Sequence, residues 1–264
     1  MRTIIVSAGV ALILALLGTP LAILVFSRRR YGQLTREAGP APHATSRGTP
    51  IMGGTVLVVA SLIGYVVGHV LTRDPMSVSG VQVLGLMTGL GLVGFAGDFI
   101  KIHRHSSREL RSGAKLQGLG RLETGAAILA LAAYVLIFNW QLRTDCTVLL
   151  TKNCYVVRDP LDLAVVAASV LGGCCGFLWW NARRARIFMG ATGTLALGGA
   201  LAGLAVTAHT QLLLAMLGGL FVIITLTVIR WADRLAIRAL AGPLTALRTG
   251  PACERAASRP QSGR

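Results

Sequence analysis

Residues 161–180 read LDLAVVAASVLGGCCGFLWW, and after Asp162 no charged residue follows until Arg183. A helix rises about 1.5 Å per residue, so roughly 20 such residues cross the hydrocarbon core of a bilayer. This stretch predicts a membrane span. Asn181 to Arg186 and then Ile187-Phe188-Met189-Gly190-Ala191-Thr192-Gly193-Thr194 follow it, polar, basic and glycine-rich, before apolar sequence resumes. A turn of that kind lies at a membrane surface, where the backbone amides of Thr192, Gly193 and Thr194 at a helix start can meet a phosphate oxygen. A plain helix cap accounts for the same residues equally well.

Similar apolar runs recur along the whole chain. They cover approximately Thr3 to Phe26, Ile51 to Leu71, Val78 to Gly97, Leu122 to Trp140, Leu161 to Trp180, Gly190 to Ala208 and Gln211 to Ile229. With 53% apolar and 14% charged residues in 264 and a mean hydropathy of +0.65, the chain reads as an all-α, polytopic membrane helix bundle of about seven spans. The first run is too long for a signal-peptide core and lacks a small-residue cleavage site, so it is expected to be retained.

The net charge of +16 raises the question of nucleic acid, and the placement of the charges answers it. Of the 26 basic residues, 21 fall after spans one, three and five and in the tail from Arg230; the other faces carry Arg2, Arg73, Arg143, Lys152 and Arg158. By the positive-inside rule the N-terminus is outside and the C-terminus inside. Topology signals and attraction to anionic headgroups thus explain the basicity without nucleic acid.

The remaining features are quieter. Cys146 and Cys154 share an outer loop where a disulfide is chemically permitted, Cys174 and Cys175 read as packing residues within span five, and no cysteine spacing resembles a zinc site. Many of the 32 glycines lie within spans, where small residues let helices approach closely. His103 and His105 read as solvated loop histidines, and His69 and His209 as interface residues. Residues 1–231 read as one membrane domain. Residues 232–264 form a basic tail without periodicity, expected to be disordered and resembling an out-of-frame reading of GC-rich DNA.

Three segments converge on the inner face. They are Gly39-Pro40, His43 and Gly48 to Gly54 entering span two; Gly91-Leu92-Val93-Gly94-Phe95-Ala96-Gly97-Asp98-Phe99-Ile100-Lys101 leaving span three; and the turn after span five. Together with Arg158-Asp159-Pro160-Leu161-Asp162-Leu163 and Leu217-Gly218-Gly219-Leu220-Phe221, they resemble the polyprenyl-phosphate N-acetylhexosamine-1-phosphate transferase family, and within it the bacterial phospho-N-acetylmuramoyl-pentapeptide transferases. The resemblance covers most of residues 1–230, in order and with a gap.

The resemblance implies transfer of phospho-N-acetylmuramoyl-pentapeptide from a UDP-linked donor to undecaprenyl phosphate. This is a step of peptidoglycan synthesis at the inner face of the bacterial cell membrane. It also implies magnesium, an ion that prefers oxygen ligands and commonly uses one or two carboxylates with substrate phosphates. The site residues it implies are Asp98 as the acidic, catalytic candidate, Lys115 as a point charge for phosphate, and Asn181 before the turn as a second substrate contact. Against these stand plainer readings: an interfacial helix-end aspartate for Asp98 and a positive-inside residue for Lys115.

Several positions depart from the family pattern. Its paired aspartates read Gly97-Asp98 in this chain, the aspartate of its phenylalanine-methionine-glycine-aspartate turn reads Ala191, and Arg184 and Arg186 replace a proline and a lysine. An asparagine-leucine-threonine-aspartate-glycine segment of the family has no counterpart between Tyr134 and Arg158. No metal-ligand set is therefore assigned from the sequence. Two functions follow, the family transferase, or a non-catalytic relic or lipid-carrier-binding membrane protein; a homodimer stays open.

Overall fold

The computed structural model describes residues 1–28, 53–103, 113–143, 157–182, 187 and 189–212, and singly 214, 219, 226 and 230. The chain divides into two compact units, Met1–Phe221 and Val222–Arg264. The described residues of the first form six helices and no strand: α1 (Arg2–Arg28), α2 (Gly54–Thr72), α3 (Val78–His103), α4 (Gly113–Arg143), α5 (Pro160–Ala182) and α6 (Gly190–Thr207). All six are long and apolar enough to cross a membrane. The seventh expected span lies largely outside the described residues, as do the Cys146–Cys154 pair, the basic tail, and residues 39–52 of the first converging segment.

Residues 161–180 run through the centre of the bundle. Helix α5 packs against α1, α2 and α4, while α3 packs most closely on α6. Leu163 to Val170 are all 0–2% exposed, which is why this run carries no polar face: every side of it meets protein. The outer helices instead turn apolar side chains outward, as with Ile5, Leu17 and Leu21 of α1 or Leu129 and Leu136 of α4. In lipid that exposure is favourable, and association must come from close packing and hydrogen bonds.

Small residues supply the close packing. On α1 the buried positions Ser7, Ala11 and Ala15 recur every fourth residue, which places them on one face. Gly64 and Gly68 of α2 and Gly172 and Gly176 of α5 meet that face. A methyl built on Gly64 would lie 2.7 Å from the Ala11 Cβ, and one on Gly176 would lie 2.7 Å from the Ala15 Cβ. Two four-residue glycine repeats thus seat α1 against both neighbours.

Hydrogen bonds supply the rest, and Pro20 shows how. Pro20 lies inside α1 and has no N–H, so the Leu16 carbonyl loses its partner four residues on. The indole N–H of Trp180 donates to that carbonyl at 2.9 Å. An orphan carbonyl in hydrocarbon costs several kcal/mol, and α5 removes the cost by lending a side chain to α1.

Candidate functional site

Helix α6 begins poorly on its own account. Its N-cap position is Met189, which makes no side-chain capping bond, and Gly190 takes a left-handed φ of 67° that a side chain would resist. The first amides of any helix lack intrahelical partners. In this chain an acid from another helix takes them: the Ala191 N–H donates to Asp98 Oδ1 at 3.1 Å, and the Thr192 N–H donates to Asp98 Oδ2 at 3.0 Å. The Thr192 hydroxyl adds a third bond to Oδ2 at 2.9 Å. The Asp98 charge also faces the positive end of the α6 dipole.

Glycine brings the two helices that close. Gly94 lies one turn before Asp98 on α3, and a methyl there would stand 2.5 Å from the Ala191 carbonyl oxygen and 2.7 Å from the Thr192 Cα. The same turn is gripped from two other sides. The Gly54 N–H of α2 donates to the Met189 carbonyl at 2.9 Å, and the Thr124 hydroxyl of α4 donates to the Met189 Sδ at 3.6 Å. Three helices therefore hold residues 189–192, and the amides expected to meet phosphate include one, on Thr192, already taken by Asp98.

The other expected site residues are more scattered. Gly97 is half-buried, and a Cβ added to it would meet nothing within 4 Å. Asn181 is 4% exposed, and its Oδ1 has no hydrogen-bond partner among the described residues. Lys115 lies in the first turn of α4, with its side chain outside the described residues. Arg184, Arg186 and His105 lie outside them too. Described hydrogen bonds join Asp98 to the turn at Ala191 and Thr192; none joins Asn181 to either.

Whether magnesium suits this place is a question of donors. A carboxylate has about four lone-pair sites; Asp98 gives three of them to α6 and is 4% exposed. Its nearest family-pattern partners are Gly97 and Ala191, which offer no carboxylate. Among the described residues there is no group of three His, Cys, Asp or Glu side chains able to hold a metal. Among the described residues, the donor set around Asp98 does not fit magnesium.

A second polar cluster lies at the far end of the bundle, and sequence reading missed it. Asp162, in the first turn of α5, accepts from the Tyr65 hydroxyl at 3.1 Å, the Ser77 N–H at 3.1 Å and the Ser77 hydroxyl at 2.5 Å, all at Oδ2. His69 Nε2 lies 2.8 Å from Oδ1, without the alignment of a hydrogen bond. His69 is 2% exposed, a buried residue rather than the interface residue expected. The available signal was Asp162 itself, an acid inside an apolar run, where ionisable groups almost always have partners. His209 is exposed in the turn that ends α6, as an interface residue would be.

Residues 115–209 match the family described as glycosyl transferase family 4. The phospho-N-acetylmuramoyl-pentapeptide-transferase of Thermobifida fusca is 44% identical, over 87% of this chain and 83% of that protein. Those of Kineococcus radiotolerans and Streptomyces avermitilis are 42% and 40% identical, over 87% of this chain and 84% and 83% of theirs. The first alignment runs over 292 positions, to which 87% of 264 residues contributes only about 230. Roughly sixty aligned positions of the relative thus have no counterpart in this chain.

Proposed function

Because the chain belongs to the phospho-N-acetylmuramoyl-pentapeptide-transferase family, we propose that it acts in peptidoglycan synthesis. On this reading it transfers phospho-N-acetylmuramoyl-pentapeptide from a UDP-linked donor to undecaprenyl phosphate in the bacterial cell membrane. The observation that carries the reading is the turn at residues 189–192, held by α2, α3 and α4 at the end of the bundle where Asp98 of α3 meets the start of α6. With the N-terminus outside and the C-terminus inside, that end faces the compartment of the nucleotide donor. Residues 1–231 form the membrane domain, and 232–264 form a basic inner tail.

The roles divide by chemistry. Asp98 sets the turn, Lys115 in the first turn of α4 offers a cation to phosphate, and Asn181 Oδ1, which has no partner among the described residues, offers an acceptor to a donor group of the substrate. The family resemblance implies magnesium, which would neutralise charge on a bridged pyrophosphate. The surroundings of Asp98 do not supply its site, and the roles of Asp98, Lys115 and Asn181 do not depend on it.

One observation favours a second reading, a protein that binds the lipid carrier without turnover: the Asp98 carboxylate beside the turn is spent on α6. Purified protein supplied with radiolabelled UDP-linked donor and undecaprenyl phosphate separates the two. Lipid-linked label supports the transferase; its absence beside an active relative, with retained carrier binding, supports the second. The restoration Gly97→Asp with Ala191→Asp sharpens the result, since position 97 has open space for a side chain. Silence of the restored protein would point to the missing internal segment as the deeper loss.

A further inference from the structure

We infer that the Asp98 carboxylate is the standing cap of α6, supplied from α3, and that it is a component of the fold rather than a ligand for the divalent cation. This goes beyond the proposed transfer, because it holds whether or not the chain turns substrate over.

The starting point is what α6 lacks. A helix normally satisfies its first amides with a Ser, Thr, Asp or Asn side chain at the N-cap. Met189 cannot do this, and it makes no such bond. Asp98 stands 93 residues earlier in sequence than Ala191, yet its two oxygens divide the work as a local cap would. Oδ1 takes the Ala191 amide, and Oδ2 takes the Thr192 amide and hydroxyl. Bonds from neutral donors to an ionised acceptor are the stronger kind, and burial at 4% exposure keeps water from competing for them.

A metal ligand would need the opposite arrangement. Magnesium dehydrates reluctantly and keeps several waters, so its carboxylates must present free lone pairs to a wet, roomy place. Asp98 presents one lone pair at most. To recruit it, an ion would have to take over lone pairs that now serve Ala191 and Thr192, and α6 has no residue of its own to replace them. The approach at Gly94, where even a methyl would collide with the Ala191 carbonyl, holds the carboxylate over those amides. Cap and ligand are thus competing uses of one side chain.

The test uses the full chain purified in detergent, with manganese as the spectroscopic stand-in for magnesium. Thr192→Val, Asp98→Asn and Asp98→Ala are expected to lower the apparent Tm in that order of severity. The double variant Asp98→Ala with Thr192→Val should be no worse than Asp98→Ala alone, since both remove one arrangement. Titration of free manganese by electron paramagnetic resonance should be the same for the natural chain and Asp98→Asn. Manganese bound by the natural chain and lost in Asp98→Asn would overturn the inference, as would fully additive losses of stability. Should Asp98→Ala fail to fold, hydrogen exchange on the chelator-treated natural chain decides: protected amides at Ala191 and Thr192 uphold the cap, and fast exchange there refutes it.

Discussion

Asp98 and Asp162 are both buried, at 4% and 3% exposure, and each lies near one end of a span, yet their partners differ in kind. Asp98 accepts from the backbone of a single helix start. Asp162 accepts from Tyr65 on α2 and Ser77 ahead of α3, with His69 of α2 against its other oxygen. From Ser77 to Asp98 is about 30 Å along α3 at 1.5 Å per residue, so the two acids serve opposite ends of the bundle. One orients a turn at the candidate site; the other ties three parts of the bundle together. A buried acid in a membrane protein is a sign of function by default, and this pair shows that the hydrogen-bond partners decide which function.

The strongest way to break that contrast is Asp162→Ala. It strips the acceptor from the Tyr65 hydroxyl and from the Ser77 N–H and hydroxyl at once, and each buried donor left unmet costs about 1–3 kcal/mol. Glycine crowding removes an easy escape, because Gly80 lies so close to the Asp162 carboxylate that a Cβ there would overlap it. The expected loss in apparent Tm exceeds that of Trp180→Phe, Thr192→Val or Thr3→Val. A Tm equal to that of the natural chain would mean that the far-end cluster ties nothing together.

Trp180→Phe asks whether the site end relies on a similar bond across helices. It leaves the Leu16 carbonyl without the donor that Pro20 cannot provide, an expected cost of about 1–3 kcal/mol. A partner substitution isolates the cause: with Pro20→Ala the backbone supplies its own N–H, and Trp180→Phe should then cost less. Equal losses in both backgrounds would show that the indole matters only for packing.

What could be read from the chain beforehand follows the same division between local and long-range causes. The α5 span was legible because a run without charges needs no partner to be recognised, and the turn after it was legible from its glycines and polar residues. The cap on that turn was not, because Met189 gives no local sign and its substitute lies on another helix. His69 was misread for the same reason: a lone histidine near a span end looks solvated until Asp162 is placed beside it. The start of α4 at Gly113 was not legible, since Gly113 to Arg121 lacks the apolar run that marks a span and that run begins only at Leu122. Pro20 announced a missing N–H, but nothing local named Trp180 as the donor.

Thr192→Val narrows the contrast to one bond at the site end. The hydroxyl bond to Asp98 Oδ2 is lost while both amide bonds remain, and a bond to a charged acceptor is worth about 1.5–3 kcal/mol at most. The loss should fall below that of Asp162→Ala and leave the α6 amides protected in hydrogen exchange. Deprotection of Ala191 and Thr192 would mean that the hydroxyl, rather than the carboxylate, organises the cap.

The smallest effect belongs to Thr3→Val, and its signature is pH. Asp74 lies between the spans of α2 and α3, where the hydroxyl of Thr3 on α1 donates to its carboxylate. That bond is the first cause holding the Asp74 carboxyl below its ordinary value, against a smaller opposing effect of burial and with help from Thr72, His69 and the N-terminal amine. A group whose pKa is lowered by folding stabilises the fold above its unfolded pKa and loses that contribution as pH falls through the folded one. The natural chain should therefore be the more stable at neutral pH, and the gap to Thr3→Val should close as pH drops below the ordinary carboxylate range. A gap that persists unchanged into acid would assign the role of Thr3 to packing. The far end would then rest on Asp162 and its partners without help from Asp74.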